Sequence, residues 1–125
     1  MKAPKGSLIV VLGASPEKER YSNRALHQLK KGGFQIIGVN PKYKTIENFD
    51  CVPKLKNVSG QVDTLTVYVN PAISSQMEKD FIALKPRRVV FNPGSENSRL
   101  QKLLQKENIE VLEACTLVML STNQF

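Results

Sequence analysis

An α/β fold built on a doubly wound, parallel five-stranded sheet is what this sequence predicts, on three observations. Leu8 to Leu12 is an unbroken run of five apolar residues, three of them β-branched, which suits a central strand covered on both faces. Further strand-like runs then alternate with stretches of helical apolar spacing along the chain, the order that gives parallel strands with helices on both sides. Finally, most of the strand runs stop at a small-residue or asparagine-proline turn (Gly13, Asn40, Asn70, Asn92), and in a parallel sheet those turns, with Glu113 after the last strand, share the carboxyl edge.

The opening strand stops at Gly13-Ala14-Ser15. Glycine allows a sharp turn, and the small residues let a ligand approach the backbone. Such a turn, with the amides that start the next helix, can cradle a phosphate, and the Ser15 and Ser22 hydroxyls could add donors. A plain strand-to-helix turn would carry the same residues, with Ser15 and Ser22 as caps. Asn23 to Lys31 follows as a short helix with Ala25, Leu26 and Leu29 on its apolar side, stopped by Gly32-Gly33. His27, the only histidine, points away from that side and reads as a surface residue.

Phe34 to Val39 is the second strand, ended by Asn40-Pro41 because proline cannot donate to a ladder. A right-handed crossover brings this end beside the Gly13 turn. A dinucleotide site of the NAD type places an Asp or Glu here. This chain has Asn40, Pro41, Lys42 and Tyr43 followed by Lys44, and a cation there suits a ribose that carries an extra phosphate. Residues 44 to 62 read as an irregular connection.

Asp63 to Val69 alternates as a third strand, and Asn70 as cap with Pro71 at the first helical position opens a helix running to about Leu84. Ile73, Met77, Phe81 and Leu84 form its expected apolar stripe. Arg88 to Phe91 is a fourth strand, followed by Asn92-Pro93-Gly94-Ser95 and a helix with Leu100, Leu103 and Leu104 on one face. Ile109 to Leu112 is the fifth strand, and a short helix around Thr116 to Leu120 closes the chain.

With 125 residues, 41% hydrophobic and 23% charged, the chain is expected to be one globular domain spanning residues 1–125. No apolar run approaches a membrane span and MKAPKGS has no signal-peptide core, so a cytoplasmic protein without membrane association is expected. Cys51 and Cys115 have no metal-ligand spacing and read as reduced thiols. The net charge of +7 is scattered among acids and lacks the aromatic platform of a nucleic-acid binder. A small polyanion explains the charge without a nucleic-acid partner.

Five segments together resemble the stand-alone CoA-binding domain family, related to the nucleotide-binding domain of the succinyl-CoA synthetase alpha subunit. They are GAS at 13 to 15 with Ser22, GFQIIGVNPKY at 33 to 43, VYVNP at 67 to 71, VVFNPGSEN at 89 to 97 and EACTLVML at 113 to 120. The resemblance implies a Rossmann-like domain binding coenzyme A or an acyl-CoA. Gly13, Ala14, Ser15 and Ser22 would line the pyrophosphate, and Asn40, Pro41 and Lys42 the adenosine end with its 3′-phosphate. Asn70 and Pro71 would form a wall, and Asn92, Gly94 and Asn97 the pantetheine side. Asn92-Pro93 replaces a glutamine-containing turn common in relatives. With no Ser-His-Asp arrangement and no metal cluster in the sequence, a non-catalytic binding module is expected. The alternatives are an NADP-binding, oxidoreductase-related module and a protein interaction module that has lost its ligand. No protein partner can be named from the sequence.

Overall fold

The computed structural model describes all 125 residues. Strands β1 (Leu8–Leu12), β2 (Gln35–Val39), β5 (Val62–Val67), β6 (Arg88–Phe91) and β7 (Glu110–Glu113) are the five expected ones, and all their pairings are parallel. Two further short strands, β3 (Thr45–Ile46) and β4 (Phe49–Val52), raise the count to seven. The sheet order is β3-β4-β2-β1-β5-β6-β7, so the expectation of five strands is corrected while the doubly wound α/β class stands. Residues 44 to 62 are not wholly irregular: their first part turns back as an antiparallel hairpin, and β4 then pairs parallel with β2. The pairing is anchored by Ile46, Phe49 and Cys51, all buried, while the paired residues Thr45 and Asp50 are exposed. That alternation runs for too few residues on either side of the turn to stand out in the sequence.

β1 lies mid-sheet because its side chains are buried both ways. Ile9 and Val11 join a core with Ala25, Leu26 and Leu29 of α1 (Tyr21–Lys31) and Met119 of α5 (Thr116–Ser121). Val10 and Leu12 face the opposite core, with Phe81 of α3 (Glu78–Leu84) and Leu100 and Leu104 of α4 (Ser98–Lys106). The neighbours of β1 are β2 on one side and β5 on the other, which makes its carboxyl end the point where successive connections leave in opposite directions.

The helix expected over residues 71 to 84 is interrupted. It consists of α2 (Pro71–Ser74), a single 3-10 turn at Ser75–Met77, and α3. Met77 leaves helical geometry at φ −118°, and the resulting change of phase puts Ile73 at 47% exposure, outside the stripe it was expected to share with Phe81. The Ser74 and Ser75 hydroxyls at the break both accept hydrogen bonds from the Asn97 side chain, at 2.8 and 3.1 Å, which ties this turn to the loop before α4 instead of letting the helix continue straight.

Candidate functional site

The turn after β1 is fixed by its neighbours. Gly13 adopts φ +87°, a conformation that favours glycine, and its amide donates to the Val39 carbonyl at 2.9 Å. A Cβ on Gly13 would lie 3.1 Å from Val69 Cγ1 and 3.3 Å from the Tyr68 carbonyl carbon, so the end of β5 needs this position bare. Ala14 is buried against Gly38 of β2, where an added Cβ would come within 2.8 Å of the Ala14 methyl. Two asparagine side chains then hold consecutive carbonyls of the turn. Asn40 Nδ2 donates to the Ala14 oxygen at 2.8 Å, and Asn23 Nδ2 to the Ser15 oxygen at 2.8 Å. The end of β2 therefore sits beside the Gly13 turn.

With the carbonyls held, the amides of Ala14 and Ser15 donate to no group of the chain, and neither do those of Tyr21 and Ser22 at the start of α1. The Ser15 hydroxyl accepts from the Glu17 amide at 3.1 Å, and Ser22 is buried. Arg20, the cap residue of α1, makes no side-chain capping bond; its guanidinium pairs with Glu17 instead. The other helices that begin at this edge each have one starting amide capped by an asparagine side chain. Asn70 Oδ1 accepts from the Ile73 amide of α2 at 3.0 Å. Asn97 Oδ1 accepts from the Leu100 amide of α4 at 3.1 Å. Asn92 Oδ1 accepts from the Thr116 amide of α5 at 2.8 Å. At α1 no side chain accepts from any of the first amides, so its positive dipole end has no cap from within the chain.

A cleft of about 600 Å³ lies at this place, lined by Gly13, Glu17, Glu19, Arg20, Tyr21, Ser22, Tyr68 and Pro93. A larger hollow of about 940 Å³ lies at the opposite, amino edge, but there Arg87 is already bonded to Asp63 and Glu110.

The expected site residues are distributed as follows. Gly13, Ala14, Ser15, Ser22 and Asn40 converge on the turn. Pro41 and Lys42 are exposed beside it; the Lys42 amide donates to Asn40 Oδ1 at 2.9 Å, and the Lys42 ammonium makes no ion pair. Asn70 and Pro71 open α2 at the end of β5. Gly94 is exposed at φ +93°, its amide bonded to Glu96 Oε1 at 2.8 Å. Asn92 and Asn97 are buried, and their side chains are committed inside the chain. Asn92 Nδ2 donates to Thr66 Oγ1 at 2.7 Å and to the Val67 oxygen at 2.9 Å, and Asn97 Nδ2 joins the Ser74 and Ser75 hydroxyls. These two shape the loop between β6 and α4 from beneath.

Arg20, Tyr21, Tyr68 and Pro93, with Glu17 and Glu19, line the cleft without being among the residues expected from the sequence. Tyr68 continues the alternation of Thr64 and Thr66, and its place at the carboxyl end of β5 was the available signal. Its hydroxyl is buried with no hydrogen-bond partner, and burial pushes its pKa up to about 12, against the pull of the nearby Thr116 and Thr66 hydroxyls. His27 is at the surface, but Glu47 of the β3–β4 turn meets it, Nε2 to Oε2 3.0 Å. No helix is long and apolar enough to cross a membrane, and no three His, Cys, Asp or Glu side chains gather as metal ligands would.

The family model described as a CoA binding domain matches residues 7–121. The acetate–CoA ligase [ADP-forming] I of Archaeoglobus fulgidus is 28% identical over 109 residues, 85% of this chain but 16% of the ligase. A crystal structure of an uncharacterized protein superposes with a TM-score of 0.90 at 37% identity, covering 98% of this chain and 100% of that one. The cell-free ID.343 structure from Thermus thermophilus gives a TM-score of 0.86 at 25% identity, covering 96% of this chain and 91% of its own. By the extent of the family match, from the residue before β1 to the last residue of α5, the chain belongs to the CoA binding domain family.

Proposed function

We propose that the chain is a binding module for coenzyme A or an acyl-CoA, with the ligand at the carboxyl edge of β1. The observation that carries the reading is a set of amides with no acceptor in the chain, Ser15 in the turn after β1 and Tyr21 and Ser22 at the start of α1, a helix start that no side chain caps. A pyrophosphate supplies the acceptors such donors lack. Gly13, Ala14, Ser15 and Ser22 would hold it. Asn40, Pro41 and Lys42 would take the adenosine end, the free Lys42 ammonium facing the 3′-phosphate. Asn70 and Pro71 would bound the cleft at β5, and Gly94 would present backbone on the pantetheine side, its loop braced by Asn92 and Asn97.

When bound, coenzyme A supplies a thiol that carries acyl groups; the chain's part is to hold and orient it. The ligase relative is named for a reaction of a much longer protein, of which this chain spans 16%. That reaction is not carried over. The end of β2 bears Asn40 and Lys42 where a carboxylate would select an unphosphorylated ribose, so NADP is the informative competitor and NAD the control. Calorimetry with coenzyme A, acetyl-CoA, NADP and NAD tests the assignment. Binding of coenzyme A or acetyl-CoA well above both nicotinamide dinucleotides is expected, and equal affinity for NAD and coenzyme A overturns it.

A further inference from the structure

The β3–β4 hairpin, which belongs to no expected part of the site, is joined to the ligand turn through two side chains. Glu47 sits at the hairpin tip between the paired residues Ile46 and Phe49. Its carboxylate Oε2 accepts from Asn23 Nδ2 at 3.0 Å, and the same Asn23 nitrogen donates to the Ser15 carbonyl at 2.8 Å. His27 Nε2 meets the other side of Oε2 at 3.0 Å. Asn23 is 2% exposed, so its amide has no water to replace these partners. The Glu47 carboxyl is held below the usual carboxylate range, first by the Asn23 hydrogen bond and then by His27.

The backbone at Glu47 is the second, independent observation. Its φ is +54°, in the left-handed region, at the first central position of a two-residue hairpin turn that glycine ordinarily fills. The other non-glycine residues with positive φ are Lys85, Asn108 and Asn123, and each ends a helix, where that conformation is common. Glu47 alone adopts it in a hairpin, where glycine would carry no strain. Strain of this kind persists where the side chain is needed.

We propose that Glu47, acting through Asn23, is a positioning residue for the ligand turn: it fixes the Ser15 carbonyl and so holds the neighbouring amides in the orientation that receives an anion. Asn40 does the same for the Ala14 carbonyl from the β2 side, and the two asparagines together set the plane of the turn. The proposal rests on the ligand assignment above, and its test separates the two.

Glu47→Gly removes the carboxylate and relieves the backbone, so positioning and stability are driven in opposite directions. Coenzyme A affinity is expected to fall about tenfold, while Tm stays level or rises. Glu47→Gln keeps an oxygen that accepts from Asn23 and is expected to hold affinity within about threefold of the native chain. Backbone order parameters of Ala14 and Ser15, measured by NMR relaxation on the free protein, should drop in Glu47→Gly and not in Glu47→Gln. Unchanged affinity and unchanged order parameters in Glu47→Gly overturn the proposal, as does a loss of affinity that merely follows a fall in Tm. If the native chain takes no coenzyme A, the ligand reading fails, and the order parameters alone decide: a drop in Glu47→Gly sustains positioning, and no drop ends it.

Discussion

At the residue scale, two glycines of the carboxyl edge share a backbone conformation and differ in surroundings. Gly13 at φ +87° is pressed by Val69 and the Tyr68 backbone, whereas Gly94 at φ +93° has nothing within 4 Å of a would-be Cβ. Gly94→Ala should therefore cost only the conformational term, about 1 kcal/mol, and Gly13→Val that term plus overpacking, about 2 to 4 kcal/mol. Urea unfolding of the two variants checks the order, and equal losses would remove the close-approach argument at Gly13. Tyr68 gives a second residue-level test through pH. Its folded pKa of about 12 lies above the ordinary phenol value, so folding favours the neutral ring. That contribution is complete below about pH 10 and is lost as pH rises toward 12, on the order of 2 kcal/mol. Tyr68→Phe should lose that part of the alkaline dependence without losing stability near neutrality, because the hydroxyl has no partner to forfeit. An equal alkaline slope in both proteins, followed by denaturant titration from pH 9 to 12, would contradict the burial of this hydroxyl.

At the scale of elements, the edge is organised by asparagines with different tasks. Asn92 spans three elements, taking Thr66 and Val67 of β5 and the first amide of α5 through bonds of 2.7, 2.9 and 2.8 Å. Asn92→Ala should lose about 3 kcal/mol in chemical denaturation, while Asn70→Ala, which gives up one exposed cap, should lose about 1 kcal/mol. Comparable losses would mean that the buried network is not the brace its geometry implies. The same residues mark the limit of what the sequence discloses. The five expected strands and their helices are legible because short apolar or alternating runs are followed by stretches of helical spacing, and the Gly13 turn because small residues interrupt an apolar run. Which asparagine faces a ligand and which faces the protein is not legible, since both tasks place Asn before a helix. The β3–β4 hairpin was missed for another reason: its tip lacks the glycine that advertises such a turn, Glu47 standing there instead. The broken helix was missed because Ile73, Met77, Phe81 and Leu84 keep a helical period that Met77 does not follow in space.

At the scale of the molecule, the two edges of the sheet treat charge in opposite ways. The amino edge is self-neutralising: Arg87 bonds Asp63 at 2.8 Å and Glu110 at 3.1 Å, and buried Arg88 is spent on the Thr64 hydroxyl and the Phe125 carbonyl and ring. Burial alone would raise the Asp63 carboxyl, but the Arg87 guanidinium and the Thr64 hydroxyl outweigh it and hold it low. Toward the carboxyl edge Lys18, Lys42 and Lys44 make no ion pair, a local excess of cations that can act on an anion. Lys42 decides how that excess is used, because Asn40 fixes its backbone beside the ligand turn while its side chain stays free. A charge-assisted contact to a ribose phosphate is worth about 1.5 to 3 kcal/mol, or roughly tenfold to hundredfold in affinity, and less where salt screens it. Lys42→Ala should therefore weaken coenzyme A by about that factor and leave dephospho-CoA nearly unchanged. Raising salt from about 50 to about 500 mM should weaken coenzyme A more steeply than dephospho-CoA in the native chain, and the two slopes should converge in the variant. If Lys42→Ala weakens both ligands alike, or neither, the 3′-phosphate is read elsewhere, and Lys44 and Lys18 are the cations at this edge to substitute next.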